Sequence, residues 1–191
     1  MLNRQSTKLS TQPTESLKNM AINFQDKLPV VISIGEDVAG KTFSFIELSR
    51  LHSIKIVNFS ISDLKDRITQ SLSNQDWNEV DWAKFWVKEF SRVLGYNQEN
   101  YQLNKLDEYL KQKNSKIIIL IDGLENIFPD LADDKFQQTA LKALIENLPN
   151  KLTEIKQSNL GLIVFLHRDS VRKVIKQNSG QFESLYSDYR F

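Results

Sequence analysis

LPVVISIGEDVAGKTFSFIELSRL, residues 28–51, runs through three local patterns in succession. Val30 to Ile34 are mostly apolar and read as a short strand, which breaks at Gly35. Four residues separate Gly35 from Gly40, and Lys41 and Thr42 follow at once. Phe43, Phe45, Ile46 and Leu48 then open a helical pattern. Glycine, four residues, glycine, lysine, threonine is the phosphate-loop spacing, and it stands where it must, between a strand and a helix. The glycines let the backbone curl so that successive N–H groups point into one concavity. The helix N-terminus adds unpaired N–H groups and partial positive charge. In that cradle Gly35, Glu36, Asp37, Val38, Ala39, Gly40, Lys41, Thr42 and Phe43 are the candidate nucleotide-binding residues. Lys41 would reach the outer phosphates, and Thr42 would set its hydroxyl on Mg²⁺. Glu36 and Asp37 occupy tolerant positions of the loop, but would weaken phosphate binding if they faced it.

A second informative segment is KIIILIDGLENIFPD, residues 116–130. Ile117 to Ile121 form a continuous aliphatic run, as a parallel strand covered on both faces requires. The run ends in Asp122, and in open α/β sheets ligands bind at the carboxyl ends of the strands. Asp122 is therefore the candidate to hold Mg²⁺ through its water shell, the Walker B role. Residues 160–166, LGLIVFL, make another buried strand, with His167, Arg168 and Asp169 at its end.

The remaining segments supply connections. Residues 1–12 are polar and aperiodic, which predicts a flexible arm, with one domain over 13–191. After Pro13, Leu17, Met20, Ala21 and Phe24 share a helical face. IKIVNF, residues 54–59, reads as a second strand. Residues 60–115 are too long for a structureless loop and predict a helical insertion. Within it, Ser62 and Asp63 cap one helix and a second runs from Glu79 to a cap at Gly95. A third, near 98–112, places Tyr101, Leu103, Leu106, Tyr109 and Leu110 inside. Trp77, Trp82 and Trp86 read as core at helical spacing, with a partner-binding aromatic cluster as the alternative. Arg67 and Arg92, the two arginines of the insertion, read as poorly placed for a cluster. The helix carrying Phe136, Ala140, Leu144, Ile145 and Leu148 is expected to stop at Pro149 and Asn150, with Leu152 to Lys156 as a candidate added turn. Val171 to Ile175 form a short helix, and residues 177–191 show no period.

Composition narrows the function. The 191 residues carry 25 basic and 24 acidic side chains, without the basic excess of a nucleic-acid binder. No cysteine is present, which excludes disulfides and thiolate metal sites, and 2 histidines argue against a histidine-rich zinc centre. No apolar run reaches the length of a membrane span, so a cytoplasmic location is the default expectation.

Three stretches carry a resemblance: GEDVAGKT at 35–42, IIILIDGLE at 117–125 and GLIVFLHRDSV at 161–171. Together they resemble the additional-strand class of P-loop NTPases, and within it the AAA-like signal-transduction ATPases with numerous domains (STAND). The resemblance covers most of residues 28–176. It implies a three-layer α/β fold with a mainly parallel sheet in the order 5-1-4-3-2, although no fifth strand is identifiable after residue 176. It also implies ATP and Mg²⁺ as ligands and slow hydrolysis. Glu125 becomes the candidate to polarise water, and Arg168 the sensor of the γ-phosphate. Glu125 is followed by Asn126 where the family shows a second acid, a departure that bears on turnover more than on binding. The expected role is a nucleotide-dependent switch acting on a protein partner or on further domains of a longer protein, with self-association as another outcome. Two other functions fit the same residues: a nucleotide or small-molecule kinase, and a scaffold that retains nucleotide without hydrolysing it.

Overall fold

Aliphatic runs that must be covered on both faces become the strands of one sheet. They are β1 (Val30–Gly35), β2 (Lys55–Asn58), β3 (Ile117–Ile121) and β4 (Leu160–His167). A computed structural model describes residues 28–35, 54–72, 77–155 and 159–187. The arm 1–12, the helix expected behind Pro13, and the loop and helix from Glu36 to Leu51 lie outside those residues. The strands pair in the order β1-β4-β3-β2, and every pairing is parallel. This is an α/β fold whose strand order is the 1-4-3-2 part of the expected sheet. Among the described residues no fifth strand joins it.

Burial on alternate sides follows from the strand period of two. Ile32, Ile34, Ile119, Ile121, Leu162 and Val164 face one large core. Val31, Ile118, Leu120, Ile163 and Phe165 face a smaller one on the other side. The sheet is therefore covered on both faces, compatible with three layers. Between β2 and β3 the chain makes α1 (Ile61–Leu72), α2 (Glu79–Val93) and α3 (Leu103–Gln112), the expected helical insertion.

The ends of α2 obey local chemistry. Asn78 Oδ1 accepts the N–H groups of Val80 at 2.8 Å and Asp81 at 3.2 Å, and Asp81 accepts the N–H of Asn78 in return. This reciprocal pair satisfies donors that a helix start leaves free. At the other end Gly95 takes φ +75°. There Tyr96 N–H reaches Ser91 C=O at 2.8 Å and Gly95 N–H reaches Arg92 C=O at 3.1 Å, a Schellman stop. Trp82, Trp86 and Phe90 are fully buried, so they are core, and Trp77 packs edge-on against Trp82.

After β3, a 3₁₀ turn (Leu124–Asn126) leads to α4 (Lys135–Lys142), a π-helical segment (Ala143–Asn147) and α5 (Leu148–Glu154). The helix does not stop at Pro149, contrary to expectation. An interior proline costs about 3 kcal/mol because it lacks an N–H and collides with the carbonyl four residues back, here that of Ile145. The π segment widens the helix at that carbonyl, and the chain restarts as α5 with Pro149 in its first turn. Trp86 Nε1–H donates to Ala140 C=O at 2.9 Å and ties the insertion to this helix. Nearby, Lys142 and Asn147 hold Glu79 at 2.7 and 3.0 Å. Burial alone would lift the Glu79 carboxyl, but these hydrogen bonds outweigh it and hold it below its usual range. Both partners are more than a third exposed, so the pair is worth about 1 kcal/mol or less.

The chain ends its described part in α6 (Arg168–Val174) and α7 (Ser179–Leu185). Residues 177–191 show no period in the sequence, yet α7 buries Phe182 and Glu183 and sets Phe182 edge-on against Tyr186. Gly161 explains how β4 fits the centre of the sheet. A Cβ there would stand 2.8 Å from Pro29 O, 3.0 Å from Leu28 Cβ and 3.1 Å from Ile118 Cγ1.

Candidate functional site

Parallel pairing brings the carboxyl ends of all four strands to one edge. Gly35, the last residue of β1, stands in register with His167, the last of β4. Ile121 ends β3 in register with Val164, and Asp122 follows it. With β4 between β1 and β3, the start of the glycine loop, the Asp122 carboxylate and Arg168 share this edge. Glu36, Asp37, Val38, Ala39, Gly40, Lys41, Thr42 and Phe43 lie outside the described residues.

Asp122 is half-buried, and its Oδ1 accepts the N–H of Gly123 at 2.8 Å. Gly123 takes φ +80°, a left-handed conformation that costs a side-chain-bearing residue about 1 kcal/mol or more. That turn directs Leu124 into the core, where it is 1% exposed, and leaves Glu125 at the surface. Glu125 therefore stands close in sequence to the edge, on its solvent side. Among the described residues no group of three or more histidines and carboxylates is gathered to hold a metal. The candidate set for Mg²⁺ is of a different kind, one hydroxyl (Thr42) and one carboxylate (Asp122). Mg²⁺ keeps several waters and takes one or two protein oxygens besides phosphates, so this all-oxygen donor set fits it.

Arg168 directly follows the last residue of β4 and opens α6, which starts three residues before the expected Val171. Its Nε lies 3.4 Å from Glu183 Oε2, and Arg172 Nε donates to Glu183 Oε1 at 3.2 Å. Glu183 is the residue at this edge that sequence reading missed. The one available signal was indirect: Arg168 and Arg172, four apart on a helix, share a face in need of an acid. Comparison with protein-family models gives no match for this chain, and comparison with curated proteins gives none either.

Proposed function

We propose that the chain is a Mg·ATP-binding P-loop domain that works as a nucleotide-dependent switch with slow hydrolysis, acting on a protein partner or a further domain. The reading rests on GEDVAGKT at 35–42 and on its resemblance to the STAND class. One structural observation supports it most: the order β1-β4-β3-β2 sets Gly35, Arg168 and Asp122 on a single sheet edge. In such folds ligands bind at that edge. Backbone N–H groups of residues 36–42 would surround the phosphates, and Lys41 would pair with the outer ones. Bound Mg²⁺ would neutralise charge between the phosphates, held by Thr42 directly and by Asp122 through water. Arg168 would pair with the γ-phosphate, a contact present with ATP and absent with ADP. Glu125 would orient the attacking water.

Isothermal titration of Lys41→Ala tests the binding. Lost ATP affinity in a folded variant supports the reading, and unchanged affinity refutes it. Phosphate release measured over a range of chain concentrations tests the rest. Release that rises with assembly supports a switch, and Glu125→Gln should lower it without lowering affinity. Tight binding with no release in wild type would leave a nucleotide-retaining scaffold.

A further inference from the structure

Arg67 and Arg92 read as poorly placed for a cluster, yet the fold brings them to one carboxylate. Glu89 of α2 is 4% exposed. Its Oε2 accepts from Arg92 Nε at 3.2 Å and lies 3.6 Å from Arg67 Nε, which also donates to the Asp63 carbonyl. Both arginines border a groove of about 630 Å³, together with Trp77, Phe85 and Tyr101. That volume lies within the range of small-molecule sites.

We propose that this groove binds a small ligand in which a phosphate or carboxylate is joined to an aromatic ring. Each arginine is tethered through Nε, so the forked Nη ends remain to grip a second anion. Their side chains are 34% and 38% exposed, partly desolvated but reachable. Charge favours an anion as well. Lys84 and Lys88 join the two arginines against Asp81, Glu89 and Glu99, an excess of one positive charge. Of those acids, Glu89 is buried between the arginines and Asp81 is committed to Lys84 and the helix cap. A buried glutamate needs one cation; a second, brought from α1, places positive charge in the groove. The rings supply the apolar half, and Lys88 Nζ stands 6.0 Å from the centre of the Tyr101 ring. None of these residues belongs to the phosphate-loop edge, so the inference does not depend on nucleotide binding there.

Tryptophan emission reads the site, because Trp77 borders the groove while Trp82 and Trp86 are fully buried. The chain is titrated without Mg²⁺ with phenyl phosphate, benzoate, inorganic phosphate and benzyl alcohol, and again as Lys41→Ala. A saturable change with phenyl phosphate or benzoate, kept in Lys41→Ala, is expected, and the tighter of the two names the anion. Inorganic phosphate and benzyl alcohol should bind at least tenfold more weakly. Arg67→Lys/Arg92→Lys keeps charge beside Glu89 and so the fold, but loses the forks. It should cost tenfold or more in affinity with the melting temperature unchanged. The proposal fails if neither aryl anion saturates, if benzyl alcohol binds as tightly, if the double lysine variant binds equally, or if the response disappears in Lys41→Ala.

Discussion

Arg168 and Glu183 form an ion pair between α6 and α7, with Nε and Oε2 3.4 Å apart and the carboxylate side chain 11% exposed. Arg172 shares the same carboxylate at 3.2 Å. The arginine proposed to sense a γ-phosphate is thus already held by an internal anion. A terminal phosphate would have to compete with Glu183, and only such differential contact can bias a conformational equilibrium.

Arg168→Ala should therefore lose roughly ten- to a hundredfold in affinity for a non-hydrolysable ATP analogue, from a charge-assisted hydrogen bond of about 1.5–3 kcal/mol. ADP affinity should barely move, and lysine should rescue poorly because it lacks the fork. Glu183→Gln should act in the opposite direction, freeing Arg168 and tightening the analogue. Parallel titrations of both nucleotides decide it. Equal losses for ATP analogue and ADP would make Arg168 a structural residue of the edge.

Gly161→Ala should lower stability while leaving the carboxyl-end edge of the sheet unaltered in the molecules that stay folded. The added Cβ meets backbone oxygen at 2.8 Å, which cannot give way as a flexible side chain can. Overpacking of this kind costs about 1–3 kcal/mol. Urea unfolding measures it, and a midpoint equal to wild type would mean that the Leu28–Pro29 backbone moves freely.

The β3 strand was legible because a strand covered on both faces needs an unbroken aliphatic run, and Ile117–Ile121 is one. Asp122 was legible for a related reason: a carboxylate cannot continue that run and must lie at its end. The α7 helix was not, since seven residues make about two turns, too few to establish a period. Its burial rests on partners from α6, which no local pattern records. The same holds for Arg67 and Arg92, whose separation along the chain says nothing about how α1 and α2 converge on Glu89. Pro149 misled because the usual effect of a proline is to end a helix, and the compensating π segment has no sequence signature.

The Tyr186 phenol should titrate well above the usual tyrosine range. Burial pushes it up to about 12, and the nearby Glu146 charge adds to this. An unfolded chain ionises its tyrosines near pH 10. Between those values the folded state keeps a proton that the unfolded state has lost, so stability falls as pH rises through that window. Below about pH 10 this group should contribute no pH dependence. The loss across the window is on the order of 2–3 kcal/mol. Denaturation midpoints of wild type and Tyr186→Phe from pH 9 to 12 test it; parallel curves would remove Tyr186 as the cause. Because Tyr186 packs on Phe182, next to Glu183, the same titration should loosen the partner of Arg168.

Asp122→Asn separates a metal role from a turn role at the same carboxylate. The Oδ1 atom accepts the Gly123 N–H at 2.8 Å, and this bond helps to set the left-handed turn that sends Leu124 inward. Asparagine keeps a carbonyl oxygen that can accept the same hydrogen bond, so the turn and the melting temperature should be preserved. What it loses is the negative charge that would hold the water shell of Mg²⁺. Outer-shell substitutions of that kind cost about 10–100-fold in metal affinity. ATP affinity measured in Mg²⁺ should fall by about that factor, while affinity measured in EDTA should stay near wild type. Equal losses in the two buffers would mean that the carboxylate acts on the fold of the edge and not through Mg²⁺. An unchanged affinity in Mg²⁺ would separate this carboxylate from the nucleotide altogether, leaving Thr42 as the one protein oxygen proposed for the metal.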